Sequence, residues 1–192
     1  MAEEQSAFAR RVKRASQMLF FQRHRRPYAK GWELRKVLGK DYMKAIKLLD
    51  AELEKMGLRV KIVFDQPEAE ANPEEDQLER ARFFVTLREP LTLSEANLAG
   101  WRVDDVAILA ATLAFVLSRE GKAARKEVVK LLREKFPDWR VEANLDRYVR
   151  RGYLGEDEAG MMFVDWRTRA EIDQRTLLSL VLAETPQQTE AD

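Results

Sequence analysis

The chain of 192 residues has no cysteine and a single histidine, His24. Disulfide bonds and thiolate metal sites are therefore excluded, and one histidine alone cannot supply the His/Cys ligand set of a zinc site. The longest apolar run, residues 106–117, is shorter than the ~20 residues that a helix needs to cross a membrane. The eight glycines of the chain do not have the spacing of a phosphate-binding loop. We therefore expect no metal, no cofactor and no membrane contact.

Charge is abundant but unevenly distributed. Charged residues make up 35% of the chain, and 34 Lys and Arg nearly balance 33 Asp and Glu, for a net charge of +1. Residues 1–61 contain sixteen basic and seven acidic residues, whereas residues 62–79 contain seven acidic and no basic ones. This segregation predicts a cationic surface beside an acidic insert. No spacing of carboxylates or of serine and histidine marks a catalytic site, so we do not expect an enzyme.

The first half of the chain has the pattern of three helices followed by a hairpin. Alternating apolar residues predict two paired strands at residues 58–64 and 83–87. Between them, residues 65–79 are predicted to form a polar, mobile loop. Three segments before the strands have apolar residues at helical spacing: Phe8, Val12, Ala15 and Leu19; Leu34, Val37 and Leu38; Tyr42, Ile46, Leu49, Leu53 and Met56.

The second half repeats this order. An apolar helix over residues 106–117 precedes two amphipathic helices, a hairpin within residues 153–166 and a last helix over about 168–183. We therefore predict an α+β, predominantly helical fold of two tandem winged-helix domains, residues 1–88 and 103–185, with a linker at 89–102 and a disordered tail at 186–192. The tryptophans are expected in the cores: Trp32, Trp101, Trp139 and Trp166.

Winged helices present one helix and one hairpin to a partner, which is often DNA. The density of cations in the first domain favours non-specific contact with phosphates, although a basic face that only meets solvent is the alternative. The candidate DNA-binding residues are Arg10, Arg11, Arg14, Arg23, Arg25, Arg26, Lys30, Lys40, Lys44 and Lys47.

The second domain has fewer signs of a nucleic-acid interface. On its third helix, Arg147, Arg150 and Arg151 have Glu142 and Asp146 beside them, so we predict local salt bridges there, with DNA contact by these arginines as the alternative. The last helix is apolar over a wide arc, which predicts a partner-binding surface. Its candidate residues are Leu177, Leu178, Val181 and Leu182.

Near the end of the chain, the residues resemble a known family. Tyr153-Leu154, Phe163, Trp166 and the run Arg169-Ala170-Glu171 resemble the end of the MAGE homology domain. Arg167 stands where that family usually has glycine. Upstream, the run Met56-Gly57-Leu58 is similar to the family's motif at the end of its third helix, so the resemblance extends over residues 16–183.

The resemblance implies a kite-type subunit of the non-SMC element three kind, in a prokaryotic or archaeal version. Such subunits bind a kleisin and SMC proteins, pair with a related tandem winged-helix protein as a homodimer or heterodimer, and contact DNA. The expected location is then the cytoplasm, at the nucleoid, or the nucleus in a eukaryote. Two alternatives remain: a winged-helix transcription regulator and, from the family alone, an adaptor for a RING-type ubiquitin ligase.

Overall fold

A computed structural model of the chain describes residues 2–21, 26–65, 73–89, 95, 98 and 100–183. Backbone contacts divide the chain into two compact units, Met1–Thr92 and Leu93–Asp192. The fold is α+β and predominantly helical, and each unit is a winged helix. The predicted linker at 89–102 lies mostly, and the predicted tail at 186–192 entirely, outside the described residues.

Unit 1 has a three-stranded antiparallel sheet in the order β1-β3-β2, so the short first strand pairs with the last one. Its helices and the wing hairpin follow one another in winged-helix order. The elements are α1 (Ala2–Phe21), β1 (Ala29–Lys30), α2 (Gly31–Leu38), α3 (Tyr42–Glu54), β2 (Leu58–Val63), α4 (Glu75–Arg80) and β3 (Arg82–Leu87).

Unit 2 repeats this topology, with the sheet order β4-β6-β5. The helix after the first short strand begins in the same way in both units. The backbone N–H of Gly31 donates to the carbonyl of Ala81 at 3.1 Å, and that of Arg125 donates to Gly160 at 3.0 Å. The elements are α5 (Val103–Ser118), β4 (Lys122–Ala124), α6 (Arg125–Arg133), α7 (Asp138–Arg151), β5 (Leu154–Glu156), β6 (Met161–Val164), α8 (Trp166–Glu171) and α9 (Gln174–Ala183).

Each unit has its own hydrophobic core. In unit 1, the sheet packs Phe83 and Val85 against the buried faces of the helices, and Tyr42 meets the ring of Phe83 edge to face at 6.1 Å. In unit 2, α5 contributes Ile108 and Leu113 to the core. Because burying one such side chain stabilises the fold by ~1.5 to 3 kcal/mol, these apolar faces fix the orientation of each helix.

The predicted loop at residues 65–79 is wrong in its second part, because residues 75–80 form helix α4. The backbone N–H of Glu74 donates to the side chain of Gln77 at 2.9 Å and caps the helix start. Helix α4 lies so close to α2 that a Cβ on Gly31 would be 1.9 Å from the carbonyl oxygen of Leu78. Residues 66–72 lie outside the described part of the chain.

The last predicted helix is divided in two. Helix α8 ends at Glu171, and the side chain of Asp173 accepts hydrogen bonds from the backbone N–H groups of Arg175 at 3.0 Å and Thr176 at 3.3 Å. An aspartate in this role starts a new helix, which is why α9 begins at this point. Strands β1 and β4, of two and three residues, were not predicted because such short segments show no alternation.

The placement of the tryptophans is partly wrong. Trp166 is buried and Trp101 is half-buried, but Trp32 is 48% and Trp139 is 68% exposed. Both exposed tryptophans lie off the apolar stripe of their helix, so neither reaches a core. Two residues of the predicted apolar stripes, Val37 and Met56, are also exposed.

None of the helices in the described ranges is long and apolar enough to span a lipid bilayer.

Candidate nucleic-acid interface

Helices α3 and α7 occupy the recognition-helix position of their units. Each is the second helix of a helix-turn-helix and is followed directly by the wing strands. The side of each recognition helix that faces away from the core is therefore the surface that a partner would contact. The face of α3 that packs into the core of unit 1 consists of Tyr42, Ala45, Ile46, Leu49 and Leu53.

The outward face of α3 is cationic with an apolar centre. Lys44, Lys47 and Lys55 are exposed on it, and Leu48 between them is 47% exposed. Lys44 pairs with Asp41 at 3.0 Å, but both side chains are more than half exposed, and such pairs are weak in water. Lys47 forms no ion pair with any residue that the structure describes. The ammonium groups of this face are thus accessible to an anionic partner.

Helix α1 packs against α3 in the same unit and adds further cations. Arg10 and Arg14 are exposed and Arg11 is half-buried, while Ala15 and Leu19 on the other face lie in the core. Six candidate DNA-binding residues are therefore at least partly exposed on unit 1: Arg10, Arg11, Arg14, Lys40, Lys44 and Lys47.

Two further candidates take part in the junction between β1 and α2. Arg26 pairs with Glu33 at 3.0 Å. The side chain of Lys30 is only 18% exposed and donates to the carbonyl of Arg80. Burial, together with a neighbouring arginine, lowers the pKa of Lys30. Its ammonium group joins β1 to the end of α4 and is less exposed to solvent than those of the lysines on α3. Candidates Arg23 and Arg25, and also His24, lie outside the described residues.

The recognition-helix face of unit 2 is organised around one cation. The guanidinium of Arg125, at the start of α6, pairs with Glu142 at 2.8 Å, Asp146 at 2.7 Å and Glu156 at 2.8 Å. Burial alone would lower the pKa of Arg125, but the three carboxylates outweigh it and raise the pKa. The predicted pairing of Glu142 and Asp146 with the arginines of their own helix is wrong, because both carboxylates turn toward α6.

The arginines of α7 instead contact the first turn of α5 and Trp101, which lies just before it. Arg147 pairs with the buried carboxylate of Asp105 at 2.9 Å, and the guanidiniums of Arg147 and Arg151 each lie 5.3 Å from the ring of Trp101. Burial favours a higher pKa for Asp105, but hydrogen bonds from Arg147 and Asn144 lower it below its ordinary value. Arg150 is exposed and forms no ion pair with a described residue.

One pair of corresponding positions on the two recognition helices carries opposite charge, and a second pair has a carboxylate only in unit 2. When α3 and α7 are aligned on the left-handed glycine that follows each of them, Lys47 corresponds to Glu142 and Ala51 to Asp146. Phosphates are attracted by lysines and repelled by carboxylates at close range. The arrangement thus favours a nucleic-acid interface on unit 1 and disfavours one at the same face of unit 2.

The candidate partner-binding residues lie on α9. Leu177 is half-buried and packs against the core of unit 2. The side chains of Leu178, Val181 and Leu182 lie outside the described part, so their role stays a prediction.

The residues that carry the MAGE resemblance contact one another. The hydroxyl of Tyr153 donates to Glu171 at 2.6 Å, and Arg167 donates to the same carboxylate at 3.0 Å. Trp166 packs on Gly152, where a Cβ would be 2.2 Å from the indole nitrogen. Arg167, which stands where the family usually has glycine, thus orients Glu171 through a charge-assisted hydrogen bond.

No group of His, Asp and Glu side chains among the described residues is arranged to hold a metal ion. The perturbed ionisable groups, such as Asp105 and Arg125, are explained by ion pairs that connect structural elements.

No family model matches this sequence, and no curated protein matches it either. Among solved structures, the chain is similar to a chain of a structure titled "Nse1-Nse3-Nse4 complex", with a TM-score of 0.63. The two chains are 15% identical, and the match covers 93% of this chain and 90% of that chain. The similarity confirms the predicted fold class over nearly the whole chain. The prokaryotic or archaeal origin stays a prediction.

Two residues of these surfaces were missed from the sequence. Arg125 was not singled out, because its three carboxylate partners come from separate elements and no local pattern connects them. The prediction that Trp139 lies in the core is wrong, because it lies outside the stripe formed by Val141 and Leu145. Its offset from that stripe was a signal that could have placed it on the surface.

Proposed function

We propose that the protein is a non-enzymatic, MAGE-like subunit of an SMC chromosome-maintenance complex. In this role it binds a kleisin and a related tandem winged-helix partner, and it contacts DNA without sequence specificity. The observation that carries the proposal is the structural similarity, over 93% of this chain, to a chain of the Nse1-Nse3-Nse4 complex. The hydrogen bond from Tyr153 to Glu171 supports it, because it joins two residues of the sequence resemblance.

The charge of unit 1 supports its role in DNA binding. The exposed lysines of α3 and the arginines of α1 suit phosphates, which carry no sequence information. Base reading in the major groove uses mainly arginine, asparagine and glutamine, whereas α3 exposes Lys44, Lys47, Leu48 and Ala51. This composition favours a non-specific DNA contact over an operator-reading transcription regulator.

Partner binding is tested by purification of the tagged protein from its native host, followed by mass measurement of the intact complex. We expect an SMC ATPase and a kleisin to co-purify in fixed proportion. Recovery of a RING-type ligase instead would favour the adaptor, and a protein that purifies alone and selects one DNA sequence would favour the regulator. Either result contradicts the proposal.

DNA contact is tested by fluorescence anisotropy with duplexes of random sequence at several salt concentrations. If about six phosphates are contacted, the logarithm of affinity falls with the logarithm of salt with a slope of roughly −5. The double variant Lys44→Glu/Lys47→Glu should bind more weakly and give a slope shallower by about 2. The matched control is Lys130→Glu/Lys135→Glu in unit 2, which makes the same charge change. An affinity for DNA that does not depend on salt concentration, or an equal loss of affinity in the control variant, would contradict DNA binding by unit 1.

A further inference from the structure

Helix α4 places carboxylates against the first helix of the helix-turn-helix of unit 1. Glu75 and Glu79, one helical turn apart, both pair with Arg35 of α2, and the pair between Arg35 and Glu75 spans 2.7 Å. The side chain of Arg35 is still 32% exposed, and that of Glu75 is 74% exposed. Two carboxylates thus hold a cation that lies at the surface of α2.

The same carboxylates lie near the start of the recognition helix. Burial raises the pKa of Tyr42, the first residue of α3, and the negative charges of Glu79 and Glu75 raise it further, whereas Arg35 lowers it. In a helix-turn-helix on DNA, the first helix crosses the phosphate backbone, and the start of the second helix approaches the bases. The carboxylates of α4 are therefore close to both parts of unit 1 that DNA would approach.

The winged-helix topology does not require α4. In unit 2, a turn over residues 157–160 joins the two wing strands, and no helix lies between them. None of the residues of α4 is buried, although its backbone lies close against Gly31. Three of its six residues, Glu75, Asp76 and Glu79, are acidic and only Arg80 is basic. Helix α4 is thus an addition to the wing of unit 1 that contributes negative charge more than core packing.

We infer that α4 is an internal competitor of DNA on unit 1. Its carboxylates occupy Arg35, which would otherwise bind a phosphate, since arginine pairs with carboxylates and phosphates in the same geometry. They also repel phosphates that approach α2 and the start of α3. Unit 1 therefore binds DNA more weakly than its cations alone would allow. This competition rests on the DNA contact proposed for unit 1 and adds a means of regulating it.

Neutralisation of the two carboxylates tests the competition. Fluorescence anisotropy measures the affinity of the full chain and of Glu75→Gln/Glu79→Gln for a duplex of random sequence. At low salt, the variant should bind about tenfold more tightly, because two repulsive charges are removed and Arg35 is released. The slope of the logarithm of affinity against the logarithm of salt should steepen by about 1, since Arg35 gains a phosphate contact. The matched control Glu127→Gln/Glu134→Gln makes the same charge change at exposed residues of unit 2 and should bind DNA nearly as the wild type does.

A second variant separates the effect of charge from a loosening of the wing. Glu75→Asp/Glu79→Asp shortens both side chains and weakens their pairs with Arg35, but it keeps both negative charges beside α2. We expect its affinity for DNA to stay close to that of the wild type. An increase equal to that of the glutamine variant would show that the charge of α4 is not the cause, and it would overturn the inference. Circular dichroism shows that the variants are folded.

The remaining outcomes distinguish this competition from the DNA contact itself. If Glu75→Gln/Glu79→Gln binds DNA as the wild type does, while Lys44→Glu/Lys47→Glu binds more weakly, the competition is refuted and the DNA contact stands. If neither the wild type nor the glutamine variant binds DNA, both proposals fail. Binding by the glutamine variant alone would support the competition. An increase that persists at high salt would contradict it, because salt screens interactions between exposed charges.

Discussion

Replacement of Asp105 by alanine should be among the most destabilising single changes in unit 2. The Asp105 carboxylate is buried, pairs with Arg147 at 2.9 Å and accepts a hydrogen bond from Asn144 at 3.2 Å. Breaking a buried ion pair costs about 3 to 5 kcal/mol, because the remaining charge is left uncompensated. The side chain of Arg147 is 28% exposed and keeps its contact with Trp101, so part of its charge is still solvated. We therefore expect a loss of about 3 kcal/mol in the free energy of unfolding.

Urea unfolding followed by far-ultraviolet circular dichroism measures this loss. With a typical slope of about 1 to 3 kcal/mol per molar urea, the midpoint should fall by roughly 1 to 2 M. The control is Asp104→Ala, which removes the neighbouring and half-exposed partner of Arg140 and should cost less than about 1 kcal/mol. If Asp105→Ala unfolds at the same urea concentration as Asp104→Ala, the stabilising role of the buried carboxylate is refuted.

Three further predictions concern the same unit. Gly152→Ala should lower the free energy of unfolding by about 2 to 4 kcal/mol in urea titrations, because φ is 81° and the added Cβ would collide with Trp166. Tyr153→Phe should cost about 1 to 2 kcal/mol in the same assay, since it removes the hydrogen bond to Glu171. The lowered pKa of Asp105 means that its charge stabilises the fold above its ordinary pKa and that this is lost as pH falls through the lowered value. Wild type and Asp105→Asn should therefore differ in stability at neutral pH and converge in acid; a constant difference in urea midpoints across that range would contradict this.

The order of the long elements could be predicted from the sequence because each buries a periodic apolar face. In α3, Leu49 and Leu53 recur with the helical period and are almost fully buried. Gly57 and Gly152 mark helix ends, and both adopt positive φ, a conformation that other residues rarely take. These local signals are sufficient to predict the two winged-helix domains.

The elements that the sequence did not predict depend on contacts between distant residues. Helix α4 is only six residues long, and its place is determined by Gly31 and Arg35, which lie some forty residues earlier. The pairing of Arg125 with three carboxylates likewise joins α6, α7 and β5. Neither helix α4 nor the ion pairs of Arg125 follow a periodic pattern or a fixed spacing along the chain, so a single sequence does not predict them.

The two recognition-helix faces show how one scaffold can carry surfaces of different charge. The buried side of such a helix is constrained by packing, as Ile46 and Val141 illustrate at corresponding positions. The outward side is not, and it carries Lys47 in one unit and Glu142 in the other. A position cannot carry both an ammonium group and a carboxylate. The ammonium group attracts phosphates, whereas the carboxylate repels them. The DNA contact proposed for unit 1 therefore does not extend to the same face of unit 2, and a net charge of +1 for the whole chain conceals this difference between the units.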